Sequence, residues 1–314
     1  MKKGLVFIFI TTFLFSTMEV VLKYIADVYD PIQLNCLRFL IGGVVLLPFA
    51  LKRLKKDGIR LRPRDLLPFV WVGFIGVTVS MTLYQFAVVY ADASVVAVLL
   101  SCNPLFVMIF SYFMLKEPIT KSNIIAIALD LLGILIIVSP WKTSVSIIGE
   151  ILVILAAIIF ALYGVCGTKY SKMYGGIVNT CFSSIAGSLL LMIFIGLTNV
   201  PSIGSALTNA GLDVFAYIPL FSGFTLQSLP YFLYVCIFVT GISYACYFMA
   251  MEETSATMAS LVFFFKPILA PIFALIFLNE MPTTSRVTGI VLILIGSMFN
   301  LLPKLRQNKN TAAS

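Results

Sequence analysis

The residues of this chain that could do chemistry are five ionisable side chains set inside otherwise apolar stretches: Glu19, Lys23, Arg38, Asp130 and Lys266. A charge at the centre of a bilayer costs about 2.5 to 3.5 kcal/mol on insertion scales, so such residues face a protein interior or a cavity rather than lipid. The chemistry they suit is the holding of charged groups and the exchange of protons. The chain has no histidine, so the usual neutral-pH proton carrier and the commonest metal ligand are missing, and any proton coupling falls to carboxylates.

Lys266 sits near the middle of an apolar run and precedes Pro267, and Asn103 precedes Pro104 in the same way. A cation and an amide on opposite walls of one cavity suit an anionic ligand. The plainer alternative is a lysine held by helix-end carbonyls or by a buried carboxylate. Glu19 and Lys23 are four apart and share a helix face. Glu19 is either a proton-exchanging group or the fixed counter-ion of Lys23 or Arg38, which together make a structural charge network. Asp130 is the second proton-coupling candidate. Tyr84, Gln85, Tyr163, Tyr244 and Tyr247 carry polar tips that need partners in hydrocarbon, and are candidate cavity linings or interfacial belts. Pro104 and Pro267 each remove a helical hydrogen bond, leaving the Leu100 and Phe263 carbonyls to coordinate a ligand or the helices simply to bend.

The elements that must position these residues are membrane helices. Of the 314 residues 61% are hydrophobic and 11% charged, and the mean hydropathy is +1.07, unlike a soluble domain. Apolar runs of about 18 to 25 residues recur, each long enough to cross the hydrocarbon. They predict helices near 5–25, 33–51, 66–89, 92–115, 122–139, 146–169, 176–197, 228–251, 254–278 and 284–302. With the N-terminus inside, only Lys23, Arg38, Lys142, Lys266 and Arg286 of the 21 basic residues fall elsewhere than cytoplasmic segments, and 198–227 has none. The net charge of +8 therefore reports topology and not nucleic-acid binding. Cys36, Cys102, Cys166, Cys181, Cys236 and Cys246 lie within apolar segments and read as packing residues.

One offset of 163 residues aligns Ala93 with Ala256, Pro104 with Pro267, Leu115 with Leu278, Glu117 with Glu280, Thr120 with Thr283, Gly133 with Gly296 and Pro140 with Pro303. Lys23-Tyr24 and Lys169-Tyr170 match at another offset. Five helices per copy is odd, so the second copy is expected to run inverted. The predicted fold is all-α integral membrane, ten transmembrane helices as two inverted five-helix repeats over 4–140 and 146–303, with a cytoplasmic tail over 304–314. Inverted repeats are typical of secondary transporters with a midplane site. Glu117 and Glu280 are expected to cap or fix helix ends.

Phe15 to Arg38, Ala93 to Gly133 and Tyr244 to Thr283 resemble the EamA-type members of the drug/metabolite transporter superfamily: a first-helix lysine, an Asp-Pro before the arginine of helix two, an aromatic eighth helix, a small-residue start to helix nine, and a closing glutamate. Lys266 departs from the neutral or acidic residue expected there. The resemblance implies ten helices, cytoplasmic termini, a central cavity and transport of a small polar metabolite, an amino acid or related organic anion, by export across the plasma membrane. The alternative is a flippase-like carrier of a lipid-linked or phosphorylated substrate; a non-transport membrane protein is more distant. No enzyme is expected, since no nucleophile elbow or clustered ligand set is present. No cofactor, metal or nucleic acid is expected, and the partners are a small molecule and the bilayer, with the chain a monomer or homodimer.

Overall fold

The computed structural model of the chain describes residues 2–116, 119–138, 147–260 and 262–313, all helices and connecting turns. Eight helices are long and apolar enough to cross a membrane, and two shorter apolar helices bring the number to ten among the described residues. We number these α1 (Lys2–Tyr24), α2 (Pro31–Lys56), α3 (Pro63–Tyr90), α4 (Ala93–Leu115), α5 (Lys121–Val138), α6 (Ile147–Tyr174), α7 (Gly176–Thr198), α8 (Leu229–Glu253), α9 (Ala256–Ala259 continuing as Val262–Leu278) and α10 (Thr284–Ala313). Each predicted span has its helix. The main differences are at helix ends: α2 carries Lys52, Arg53, Lys55 and Lys56 in its last turns, and α6 carries Lys169 and Lys172, because a helix hydrogen-bonds its own backbone and can continue past the apolar boundary.

The packing exchanges when the two halves are swapped. Helix α1 lies against α8 and α9 as α6 lies against α3 and α4; α2 meets α8 as α7 meets α3; α2 packs on α7, and α5 on α10. Close approach depends on glycine. A Cβ on Gly42 would meet the Cys236 carbonyl of α8 at 2.9 Å, and one on Gly187 would meet the Gly73 carbonyl of α3 at 2.5 Å. Small residues let helix backbones touch where lipid tails compete with larger side chains for the same surface.

Three backbone features also come in repeat-related pairs. Helices α3 and α8 each widen to π-helix, at Phe74–Ser80 and Val235–Ile242. Helix α4 breaks at Ser101 and Cys102 and α9 near Ser260. Lys116 and Asn279, 163 residues apart, close α4 and α9 in the left-handed region, at φ 56° and 55°. Pro104 therefore does not bend a continuous helix. It stands in the first turn of the helix Asn103–Leu115, where its missing N–H leaves no bond unmade, whereas Pro267 lies inside Val262–Leu278.

Candidate functional site

The centre of the bundle is an ion pair in an aromatic cage. Lys266 on α9 places Nζ 2.5 Å from the Glu19 carboxylate on α1, and the two side chains are 0% and 1% exposed. The α1 and α9 pairing joins opposite halves of the chain, so the bond ties one repeat to the other. The Lys266 ammonium lies 5.8 Å from the ring centres of both Phe15 and Phe263. Phe15 packs edge-on to Tyr244 at 5.1 Å, and Phe160 of α6 stacks on Tyr247 at 5.8 Å and meets Tyr163 at 5.5 Å. Phe39 closes the α2 side, 5.1 Å from Tyr244. Rings exclude water and strengthen every charge interaction between them.

Sequence reasoning left Glu19 either as a proton-exchanging group or as the counter-ion of Lys23 or Arg38, and gave a buried carboxylate as one partner for Lys266; the structure pairs Glu19 with Lys266. Lys23 turns away to cap the end of α3, donating from Nζ to the carbonyls of Val88, Val89 and Ala91 at 2.9 to 3.0 Å. Cations are stabilised at helix C-termini by such orphan carbonyls. Arg38 is fully buried and donates to Asn35 Oδ1 at 3.2 Å and weakly to Met18 Sδ at 3.9 Å, with its guanidinium 4.7 Å above the Phe39 ring. It remains in electrostatic contact with Glu19, Tyr84 and Tyr244. The two members of the expected charge network thus have separate tasks.

The candidate lining residues are all buried, and several keep polar atoms without a well-formed hydrogen bond. These are the hydroxyls of Tyr84, Tyr163 and Tyr247, both polar atoms of the Gln85 amide and Oδ1 of Asn103. The Tyr84 hydroxyl faces Glu19 and that of Tyr163 faces Ser183, short of full hydrogen-bond geometry. Asn103 spends its Nδ2 on the Ala157 carbonyl of α6 at 3.1 Å. The Tyr244 hydroxyl meets Met81 Sδ at 2.9 Å. Met81 and Tyr244 are 163 residues apart, as are Tyr84 and Tyr247, so repeat-related residues face each other across the centre. That offset could have found Met81 in the sequence; Phe15, Phe160, Asn35 and Met18 had no comparable signal. Asp130 is not brought to this centre. It packs at the interface of α5 and α10, its Oδ1 occupying the space a side chain on Gly296 would need, and it lies in electrostatic reach of Cys102.

Both ends of the bundle are clasped by charge. At one end Glu280 accepts from the amides of Ala93 and Ser94 at 2.9 and 3.0 Å, capping α4 from the other repeat rather than the helix that follows it, and Arg286 pairs with Asp92 at 2.5 Å. At the other end Arg53 of α2 pairs with Glu252 of α8 at 2.8 Å, and Glu252 also accepts from the Gly176 amide that opens α7. Glu117, the repeat counterpart of Glu280, lies outside the described residues.

The profile of the EamA-like transporter family matches the chain twice, over residues 2–139 and 147–302. The chain is 37% identical to an uncharacterized transporter of Clostridium kluyveri over 98% of its own length and 96% of that protein's. It is 27% identical to an uncharacterized transporter of Archaeoglobus fulgidus (94% and 97% covered) and 26% identical to the uncharacterized transporter YdfC of Bacillus subtilis (90% and 85%). A solved structure titled "Crystal structure of protein" shares the fold at a TM-score of 0.68 and 17% identity, covering 96% of this chain and 98% of the other. Ten apolar helices and a family profile that matches the chain twice, over nearly its whole length, make this chain a multi-pass membrane transporter of the EamA-like family.

Proposed function

We propose that the chain exports a small polar metabolite, an amino acid or related organic anion, across the plasma membrane by alternating access, with both termini cytoplasmic and the repeats 4–140 and 146–303 inverted relative to one another. The observation that carries this reading is the Lys266 and Glu19 pair, wholly buried on helices of opposite repeats among polar groups that lack well-formed hydrogen bonds. A polar atom left unsatisfied in an apolar interior is unfavourable, and a ligand that supplies the missing partner recovers that energy. Rocking one repeat against the other would open the clasp of Arg53 and Glu252 or that of Glu280 and Arg286 while the centre stays in place.

The flippase-like alternative has one observation in its favour, an apolar cavity of about 280 Å³ between α1, α8 and α9, lined by Thr17, Val20, Tyr24, Tyr234 and Phe277 among others. Its described lining holds no Lys or Arg to meet a lipid phosphate, so metabolite transport is the better reading. The test is counterflow in proteoliposomes loaded with unlabelled compound, using labelled amino acids, organic acids, sugar phosphates and choline. Accumulation of an amino or organic acid above empty liposomes is expected, with loss in Lys266→Met. Exchange of choline alone, or of nothing in the panel, would overturn the proposal.

A further inference from the structure

The buried charges at the centre do not cancel. Glu19 and Lys266 neutralise each other at 2.5 Å, whereas Arg38, 0% exposed, has no carboxylate within ion-pair distance among the described residues. The titratable groups facing Arg38 are Tyr244, Tyr84, Cys236 and Glu19. The tyrosines and the cysteine are neutral near pH 7, and Glu19 is committed to Lys266. The hydrogen-bond partners of the guanidinium are an amide oxygen and a thioether, and its Nε has none. A thioether is a weak acceptor, and a guanidinium offers five N–H groups in a planar fork that matches a carboxylate. Among the described residues the centre therefore holds one more cation than carboxylate, and a guanidinium whose N–H groups are only partly satisfied. Lys23, by contrast, already has three carbonyls.

We propose that Arg38 is the anion-binding residue of this site: a singly charged carboxylate of the carried metabolite completes its charge, while Lys266 is held by Glu19 and does not receive the ligand's anion. The identification of the ligand with the cargo rests on the transport reading; the binding of a monoanion at Arg38 does not. Two neighbours offer a way to supply the missing charge from within. Asn35 Oδ1 is 3.2 Å and Met18 Sδ 3.9 Å from the guanidinium, so Asn35→Asp or Met18→Glu puts a carboxylate beside it with little change in size.

The probe is acetate, compared with acetamide and with sulfate at matched ionic strength, in thermal unfolding of the full chain in lipid nanodiscs. A ligand that binds only the folded state raises the apparent melting temperature by mass action. Acetate should stabilise the wild type saturably and acetamide should not. Its half-saturating concentration should rise at least about tenfold, or about 1.4 kcal/mol, in Arg38→Gln, Asn35→Asp and Met18→Glu. It should stay within about threefold in Asp92→Asn, which alters a partly exposed charge pair at one end of the bundle and leaves the buried centre untouched. Should Arg38→Gln not fold, Met18→Glu decides, because it leaves the Asn35 bonds to Val77 and Thr82 intact. Equal responses to acetate and acetamide, or an undiminished acetate response in both charge-supplying variants, would overturn the proposal. An Arg38-dependent acetate response without counterflow of any compound supports the anion site and sinks the transport reading instead.

Discussion

Glu19→Gln should be among the most damaging conservative changes in this chain, and the structure gives a magnitude for it. The substitution keeps the size of the side chain but removes the only carboxylate within 4 Å of Lys266 among the described residues, leaving a second buried cation at the centre without a carboxylate partner. Breaking a buried ion pair from one side costs about 3 to 5 kcal/mol, because the surviving charge stays desolvated. For a chain of this size that corresponds to a fall of roughly 6 to 10 °C in melting temperature, taking about 2 °C per kcal/mol. The assay is a double-mutant cycle of Glu19→Gln, Lys266→Met and their combination, followed by tryptophan fluorescence during thermal unfolding in nanodiscs. Replacing both partners together should recover most of the loss, since a buried pair and an apolar substitute of similar volume are often nearly equal in stability. If Glu19→Gln shifts the transition by no more than about 1 kcal/mol, or the coupling energy is near zero, the two groups are not an ion pair in the folded protein.

Gly296→Ala should loosen α5 from α10, because the new Cβ would fall 2.5 Å from Asp130 Oδ1 and 3.0 Å from the Ala126 carbonyl; a loss of about 1 to 3 kcal/mol is expected by the same unfolding measurement. Glu280→Ala should cost about 0.5 to 2 kcal/mol, as a lost helix cap does, while Asp92→Ala, whose partner ion pair is substantially solvent-exposed, should fall within about 1 kcal/mol. Asp30 caps α2 through the amides of Ile32 and Gln33, yet burial holds its carboxyl above the ordinary value of 3.8 despite those bonds. The folded state then binds the proton more tightly than the unfolded one, so this group's contribution declines as pH rises from below 3.8 through its folded value. Asp30→Asn should keep the cap and flatten that part of the pH dependence of the melting temperature.

The ten spans, their order and the twofold repeat are legible along the chain because they depend on local properties. An apolar run such as Leu5 to Tyr24 in α1 must become a helix in hydrocarbon, where every backbone group has to be satisfied within its own segment. The offset linking Tyr84 to Tyr247 and Asn103 to Lys266 needed only two copies of one pattern. Even the end of each fourth helix of a repeat is shared, with Lys116 and Asn279 in the same left-handed conformation. The π-helical stretches carry no comparable mark, since Phe74–Ser80 and Val235–Ile242 differ from ordinary helix by register and not by residue type.

Composition and pattern along the chain thus establish the class of solvent, the number of spans, and the short set of charged residues that cannot face lipid. Which charge meets which is a matter of three dimensions. Glu19 and Lys23 share a helix face one turn apart, yet Glu19 reaches across to Lys266 in the other half of the chain while Lys23 finds the carbonyl end of α3. The reason is physical: helical spacing sets which side chains are neighbours on one helix, but the large free energies of buried charge are settled between helices, by packing that brings α9 against α1 and leaves Arg38 with neutral partners.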